Sequence, residues 1–331
     1  MGLFEKQRGA AREAPSLVGL PFNSGALSDT MLGSPQETVR LPSFIIAGPP
    51  RTGTSWLHKV LSQHTSLPNP TKETRFFDTH FHRGLKWYGA HFAASRRDHL
   101  AGEVGPTYFA SPQACERIAA TIPKAKLIFV FRNPVQRVVS LYRIKRAYGM
   151  LPWSFQDALD RDPELMESGM YAQHLDRWQR SFPSDQLLCT VYDDLRSDPQ
   201  SFLDMLCEFI GIPRITLSAV QLGNVHSSER MTEPRSYITT RSATAVADWL
   251  KARGLDHVVA AVTNSSLMKL FVGGGEPFPE VSEEVVHELY RRFHPEVERL
   301  EEMLRRDLSA WKAAGGQHPN MKIGAAVKSF P

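Results

Sequence analysis

An α/β fold, a single domain with a central parallel sheet flanked by helices, is predicted by three stretches of the sequence. In the first, Phe44-Ile45-Ile46-Ala47 is a short apolar run suited to a buried strand, and Trp56, Leu57, Val60 and Leu61 then recur at helical spacing. In the second, Lys126-Leu127-Ile128-Phe129-Val130-Phe131 is a near-continuous apolar run that leads into Asn133 as helix cap and Pro134 at the first helical position. In the third, Leu187 to Val191 reads as another buried strand, and Phe202, Leu203, Leu206, Phe209 and Ile210 form an amphipathic helix stopped by Gly211 and Pro213. Alternating strands and helices of this kind argue for a parallel sheet.

Between the glycines of the first stretch, Gly48-Pro49-Pro50-Arg51-Thr52-Gly53-Thr54-Ser55 joins strand to helix. Such a loop is P-loop-like: its amides can close on an anion, Thr54 and Ser55 add hydroxyl donors, and the helix directs its positive end to the same point. It has the outline of a nucleotide-triphosphatase loop, but Thr54 stands at the lysine position and the only cation, Arg51, lies inside the loop. The core strand at 126–131 ends on Arg132, where a triphosphatase would carry a magnesium-holding acid. The reversed charge marks a second anion site and no metal site. On the helix that follows, Val135, Val138, Val139 and Tyr142 form the buried face, and Asn133, Arg137 and Ser140 share another. Arg132 with Ser140 is a phosphate-binding pair.

The 331 residues suffice for a full core, and 42% hydrophobic with 22% charged residues is ordinary for a globular protein. The expected organisation is a loosely ordered arm over 1–40, the folded domain over 41–313 and a frayed tail over 314–331. A net charge of +4, from 39 basic and 35 acidic residues, gives no global field that calls for nucleic acid. Cys115, Cys189 and Cys207 are widely spaced in apolar surroundings and read as packing residues, with neither a disulfide framework nor a zinc pattern. No apolar run approaches the ~18 residues of a membrane span, and no secretory leader is evident, so a cytoplasmic setting is expected. Nothing in the sequence sets an oligomeric state.

After the first helix a right-handed crossover must return the chain to the sheet, and this is expected to bring Lys72 and Glu73 beside the loop. A short helix is expected around 113–121, after a loop-rich stretch over 98–112. Tyr171, Leu175, Trp178 and Phe182 repeat at helical spacing as core contacts or as the wall of a pocket. Residues 222–241, polar, basic and without a period, suit a loop closing over an anionic ligand. Two helices, around 282–293 and 295–311, are expected to end the fold.

Together these residues resemble the sulfotransferases that use 3′-phosphoadenosine 5′-phosphosulfate, and among them the branch containing the heparan sulfate sulfotransferases and soluble bacterial relatives. The resemblance covers roughly 43–311 and rests on four motifs in the family's order. Pro50-Arg51-Thr52-Gly53-Thr54-Ser55 is similar to the loop that holds the 5′-phosphosulfate. Lys72-Glu73-x-Arg75-Phe76-Phe77-Asp78 is similar to the segment carrying the catalytic glutamate. Arg132-Asn133-Pro134 through Ser140 resembles the 3′-phosphate clamp, and Gly169-Met170-Tyr171 to Trp178 with Phe182-Pro183 resembles the helix beside the nucleotide. The resemblance implies metal-independent transfer of a sulfonyl group to an acceptor hydroxyl or amine, releasing adenosine 3′,5′-bisphosphate. Glu73 would be general base, and Arg51 with Lys72 would stabilise charge on the leaving phosphate. Arg51, Thr52, Gly53, Thr54, Ser55, Trp56, Arg132, Ser140, Tyr192, Arg230, Arg235 and Ser236 would hold the nucleotide. Arg75, Asp78, Tyr108 and Tyr171 would face the acceptor.

The chain departs from the family where Arg51 replaces a frequent lysine and where Val104-Gly105-Pro106 lacks the lysine of the glycan-modifying relatives. The late Lys- and Gly-rich loop is matched only by Arg230 and Pro234-Arg235-Ser236. The acceptor class is therefore a small molecule, a lipid or a saccharide, and Val104 with the cytoplasmic expectation leans toward a small metabolite, glycolipid or biosynthetic intermediate. His80, His82 and His91 are alternative bases. Two other readings use the same loop. A P-loop kinase or NTPase with a degenerate Walker A loop would show magnesium-dependent ATP turnover. A non-catalytic nucleotide-binding protein of the same fold would bind without transfer.

Overall fold

The computed structural model describes residues 39–93, 98–223, 232–255, 258–259 and 274–312. The expected arm and tail, and Arg230, lie outside the described residues, save for the arm's last two positions. Four strands, β1 (Phe44–Gly48), β2 (Gly102–Val104), β3 (Lys126–Phe131) and β4 (Leu187–Val191), form one sheet in the order β2-β1-β3-β4, with every pairing parallel. Side chains alternate between the faces as strand geometry requires. Ile45, Ala47, Leu127, Phe129 and Phe131 enter one core layer, and Phe44, Ile46, Ile128 and Val130 enter the other. Burial on both faces explains why β1 and β3 are nearly uninterrupted apolar runs.

Among the described residues the helices in chain order are α1 (Thr54–Leu61), α2 (Gly84–Ala90), α3 (Pro112–Thr121), α4 (Pro134–Ala147), α5 (Phe155–Arg161) and α6 (Pro163–Glu167). They continue with α7 (Tyr171–Ser181), α8 (Tyr192–Ser197), α9 (Pro199–Ile210), α10 (Ala219–Gly223), α11 (Tyr237–Ala252) and α12 (Glu283–Leu304). α1 and α9 cover one face of the sheet, while α3, α4, α7 and α12 cover the other. None of the described helices is long and apolar enough to cross a membrane. The chain passes outward from β1 to β2 and from β3 to β4, so strand order reverses between β1 and β3. In open α/β sheets the crevice at such a reversal is where ligands bind.

Four local features differ from the sequence expectation. The stretch over 98–112 contains β2, a strand too short to show a period. The returning chain around Ser66 makes only a single bridge to Ala101, with Ser66 donating to the Leu100 carbonyl at 2.8 Å and accepting from the Gly102 amide at 3.0 Å. Within 222–241, the residues from Tyr237 onward begin the regular helix α11 in place of a loop. The two terminal helices are one: Pro295 sits inside α12, where buried Leu289, Phe293, Val297 and Leu300 hold the helix across the missing proline N–H.

Candidate active site

The loop after β1 takes its shape from glycine at two points. Gly48 has φ 114°, and a Cβ there would lie 2.2 Å from the Pro106 carbonyl oxygen; Gly53 has φ 88°, and a Cβ would lie 2.6 Å from Leu195. Gly53 is also the N-cap of α1, so no cap side chain occupies the helix's first amides. Thr52 is fully buried and donates to the Pro49 carbonyl at 2.7 Å, which closes the loop on itself. Thr54 is buried at the start of α1, and Ser55 beside it is exposed. Trp56 donates through Nε1 to the Gln221 carbonyl at 2.8 Å, tying α10 to α1.

On the β3 side, Asn133 caps α4, its Oδ1 accepting from the Val135 and Gln136 amides at 3.0 and 3.3 Å. This fixes Arg132 at the strand end. Its guanidinium donates to the Arg51 carbonyl at 3.3 Å and lies 4.9 Å from the centre of the Tyr192 ring. Arg51 Nε donates to Ser140 Oγ at 3.0 Å, so the loop and α4 are joined across the β1/β3 crevice. Burial and then the neighbouring Arg132 charge lower the pKa of Arg51. Two guanidinium groups held this close create a positive site that an anion relieves. Tyr171 supports the clamp from below: it is buried, burial pushes its pKa up to about 12, and its hydroxyl donates to the Arg132 carbonyl at 2.9 Å. Arg137, grouped with this face in the sequence, turns inward and donates to Ser168 and the Leu165 carbonyl.

The segment after the crossover forms a ledge facing the loop. Lys72 Nζ donates to Ser55 Oγ at 2.9 Å and to Glu73 Oε1 at 3.1 Å. Phe76 and Phe77 are fully buried and anchor the ledge, Phe76 stacking on Tyr88 at 4.3 Å and Phe77 meeting Tyr108 edge-on at 5.7 Å. Arg75 pairs with Asp78 at 3.0 Å on the outer side. His80 and His91 gather edge-on around Trp87, with His82 beside His80.

The structure thus brings together Arg51, Thr52, Gly53, Thr54, Ser55, Lys72 and Glu73 on the loop and ledge, and Arg132, Ser140, Tyr171 and Tyr192 on the clamp. It does not place Tyr108 on an open surface: the side chain is fully buried and its hydroxyl donates to Glu103 at 3.0 Å. Tyr171 likewise presents its hydroxyl to the clamp backbone. Arg235 is exposed and donates to the Gly274 carbonyl at 3.0 Å, and Ser236 opens α11. Glu103, a fully buried acid between Gly102 and Val104, is not marked as a site residue by the local sequence. Its only signal is an acid inside a short apolar run, which is indistinguishable from a loop carboxylate without its neighbours.

The donor set fits a nucleotide with phosphate groups at two positions: two guanidinium groups, one ammonium, the Ser55 and Ser140 hydroxyls and the loop amides. Among the described residues no group of three His, Cys, Asp or Glu side chains could hold a metal ion. Bifunctional heparan sulfate N-deacetylase/N-sulfotransferase 2 of Bos taurus is 35% identical over 196 residues, covering 52% of this chain and 22% of that protein. Heparan sulfate glucosamine 3-O-sulfotransferase 3B1 of Mus musculus is 34% identical over 223 residues, covering 65% of this chain and 54% of that protein. The chain therefore spans about a fifth of the first relative's length and about half of the second's. The fold matches a crystal structure of a sulfotransferase from Alicyclobacillus acidocaldarius at a TM-score of 0.60 and 23% identity, over 83% of this chain and 100% of that one. Residues 41–245, more than half of the chain, match the sulfotransferase domain, and the chain belongs to that family.

Proposed function

We propose that the chain moves a sulfonyl group from 3′-phosphoadenosine 5′-phosphosulfate to a hydroxyl or amine of a saccharide acceptor, with Glu73 as general base. The observation that carries this reading is the Lys72 ammonium, which touches Ser55 of the phosphate loop and Glu73 at once. It joins the donor's anchor to the base. A general base must lie within hydrogen-bond reach of the proton it takes, and the ledge holds Glu73 at the edge of the loop.

The bound donor supplies the activated sulfonyl group. Arg132 and Ser140 bind the 3′-phosphate, while Arg51, Lys72, Ser55 and the amides at the start of α1 bind the 5′ side and stabilise the negative charge that grows there. Glu73 receives the acceptor proton. Arg75, exposed on the outer side of the ledge and held there by the largely buried Asp78, is the first polar group an acceptor meets. The saccharide class is supported by the heparan sulfate relatives, and the free Cys115, Cys189 and Cys207 support the reducing, cytoplasmic setting.

The test is transfer of labelled sulfonyl from the donor to N-desulfated heparin and to a panel of neutral saccharides. Label on a saccharide with wild type, and at least about a hundredfold less with Glu73→Gln, is expected. Undiminished transfer by Glu73→Gln would move the base elsewhere, and label only on non-saccharide hydroxyls would overturn the acceptor class.

A further inference from the structure

Glu103 lies at the middle of β2, opposite Ile45 of β1, and is wholly shielded from water. A carboxyl in that position needs donors from the protein. Oε1 accepts from the Thr74 amide at 3.1 Å, the Thr74 hydroxyl at 2.5 Å and the Tyr108 hydroxyl at 3.0 Å, and Oε2 accepts from the Tyr88 hydroxyl at 2.5 Å. These donors come from three separate segments. Thr74 directly follows Glu73, Tyr88 lies on α2, and Tyr108 closes the turn whose Pro106 packs on Gly48 at the end of β1. One side chain of the sheet thus joins the ledge, α2 and the start of the phosphate loop.

We infer that Glu103 is a positioning residue that holds the Lys72–Glu73 pair against Ser55. The pair cannot fix itself there, because Lys72 and Glu73 remain 36% and 30% exposed and a solvated ion pair adds little. The buried bonds to Thr74 fix the backbone one residue away from the base. A displacement of about 1 Å at a reacting group can lower turnover about a hundredfold, so this placement matters for chemistry as well as for folding. Burial raises the Glu103 pKa, opposed by the bonds from Thr74, Tyr88 and Tyr108. An uncharged isostere should therefore keep the arrangement. In Glu103→Gln the amide oxygen can still accept from Thr74, and the amide nitrogen can donate to the Tyr88 oxygen.

The experiment compares Glu103→Gln, Glu103→Ala and the milder Thr74→Val in the full chain by two readouts; the second rests on the sulfonyl-transfer reading and the first does not. The first is amide hydrogen exchange. In Glu103→Ala, exchange over 71–79 should rise by about tenfold or more while β3 stays protected, Thr74→Val should show a smaller local rise, and Glu103→Gln should stay near wild type. The second is a double-mutant cycle on adenosine 3′,5′-bisphosphate affinity. Lys72→Ala should weaken binding about tenfold alone but less than about threefold in the Thr74→Val background, because a displaced Lys72 has little left to lose. Unchanged exchange over 71–79 in both Glu103→Ala and Thr74→Val would overturn the inference. So would a uniform rise across the chain in Glu103→Ala with Thr74→Val at wild type, or an undiminished Lys72→Ala effect. If wild type fails to bind the bisphosphate, the function reading falls, and the exchange data still decide the role of Glu103.

Discussion

The clamp around Arg132 and the ledge carrying Glu73 face one crevice but follow opposite plans. The clamp holds two half-buried guanidinium groups, Arg51 and Arg132, on a buried base: Tyr171 lies below and Asn133 caps the helix behind. The ledge leaves Lys72 and Glu73 part-exposed and buries only its anchors, Phe76, Phe77 and Thr74. Under the proposed function the difference follows from what each side would do. A phosphate clamp gains from fixed charge in a low-dielectric setting, where like charges wait for an anion. A base must exchange partners during turnover, so its backbone is fixed and its carboxylate is left accessible.

If that contrast holds, the largest effect belongs to the ledge. Glu73→Gln should reduce transfer by about 10²–10⁴-fold and leave adenosine 3′,5′-bisphosphate affinity within twofold. Equal losses in affinity and transfer would break the contrast. The next largest belongs to the clamp. Arg132→Ala should weaken the bisphosphate by about 2–3 kcal/mol and AMP by much less, and a titration showing equal losses for both ligands would remove the 3′-phosphate from Arg132.

Gly48→Ala should lower stability by about 1–3 kcal/mol, seen as a shifted denaturation midpoint, because its Cβ would meet the Pro106 carbonyl at a left-handed φ. Since Gly48 begins the loop that both sides share, nucleotide affinity should fall with it.

The last prediction concerns pH at His58. Burial, with Lys72 nearby, lowers its pKa to about 4. Between about 4 and the ordinary value near 6.5 the unfolded chain binds more protons than the folded one. The neutral imidazole's contribution is therefore present above 6.5 and fades as pH falls toward 4. Denaturant titrations of His58→Gln across that window should show a flatter pH dependence than wild type; an identical slope would mean the imidazole is not held neutral.

The clamp and the loop were legible in the sequence because both are local. Gly48, Gly53, Asn133 and Pro134 each mark a turn or a cap within a few residues of the charge they position, and the apolar runs of β1 and β3 announce strands buried on both faces. The ledge was legible only through Lys72, Glu73 and the Phe76-Phe77 pair. Its support was not, since Glu103 lies on a strand of three residues and acquires meaning from Thr74, Tyr88 and Tyr108 at distances of 29, 15 and 5 positions. α11 was missed for a related reason. Its start, rich in β-branched Ile and Thr, has weak helical propensity, and packing against Tyr148, whose carbonyl accepts from the Thr244 hydroxyl at 2.7 Å, supplies what the local sequence lacks. At Pro295, four buried side chains outweigh a local signal to stop.

Calorimetric titration of the wild-type chain with adenosine 3′,5′-bisphosphate, with AMP, and with ATP plus magnesium tests most directly whether loop and clamp together read the two ends of one nucleotide. Tight binding of the bisphosphate, with AMP and ATP much weaker, is the expected result. A preference for ATP with magnesium would contradict the account and make a P-loop kinase or NTPase the reading to pursue.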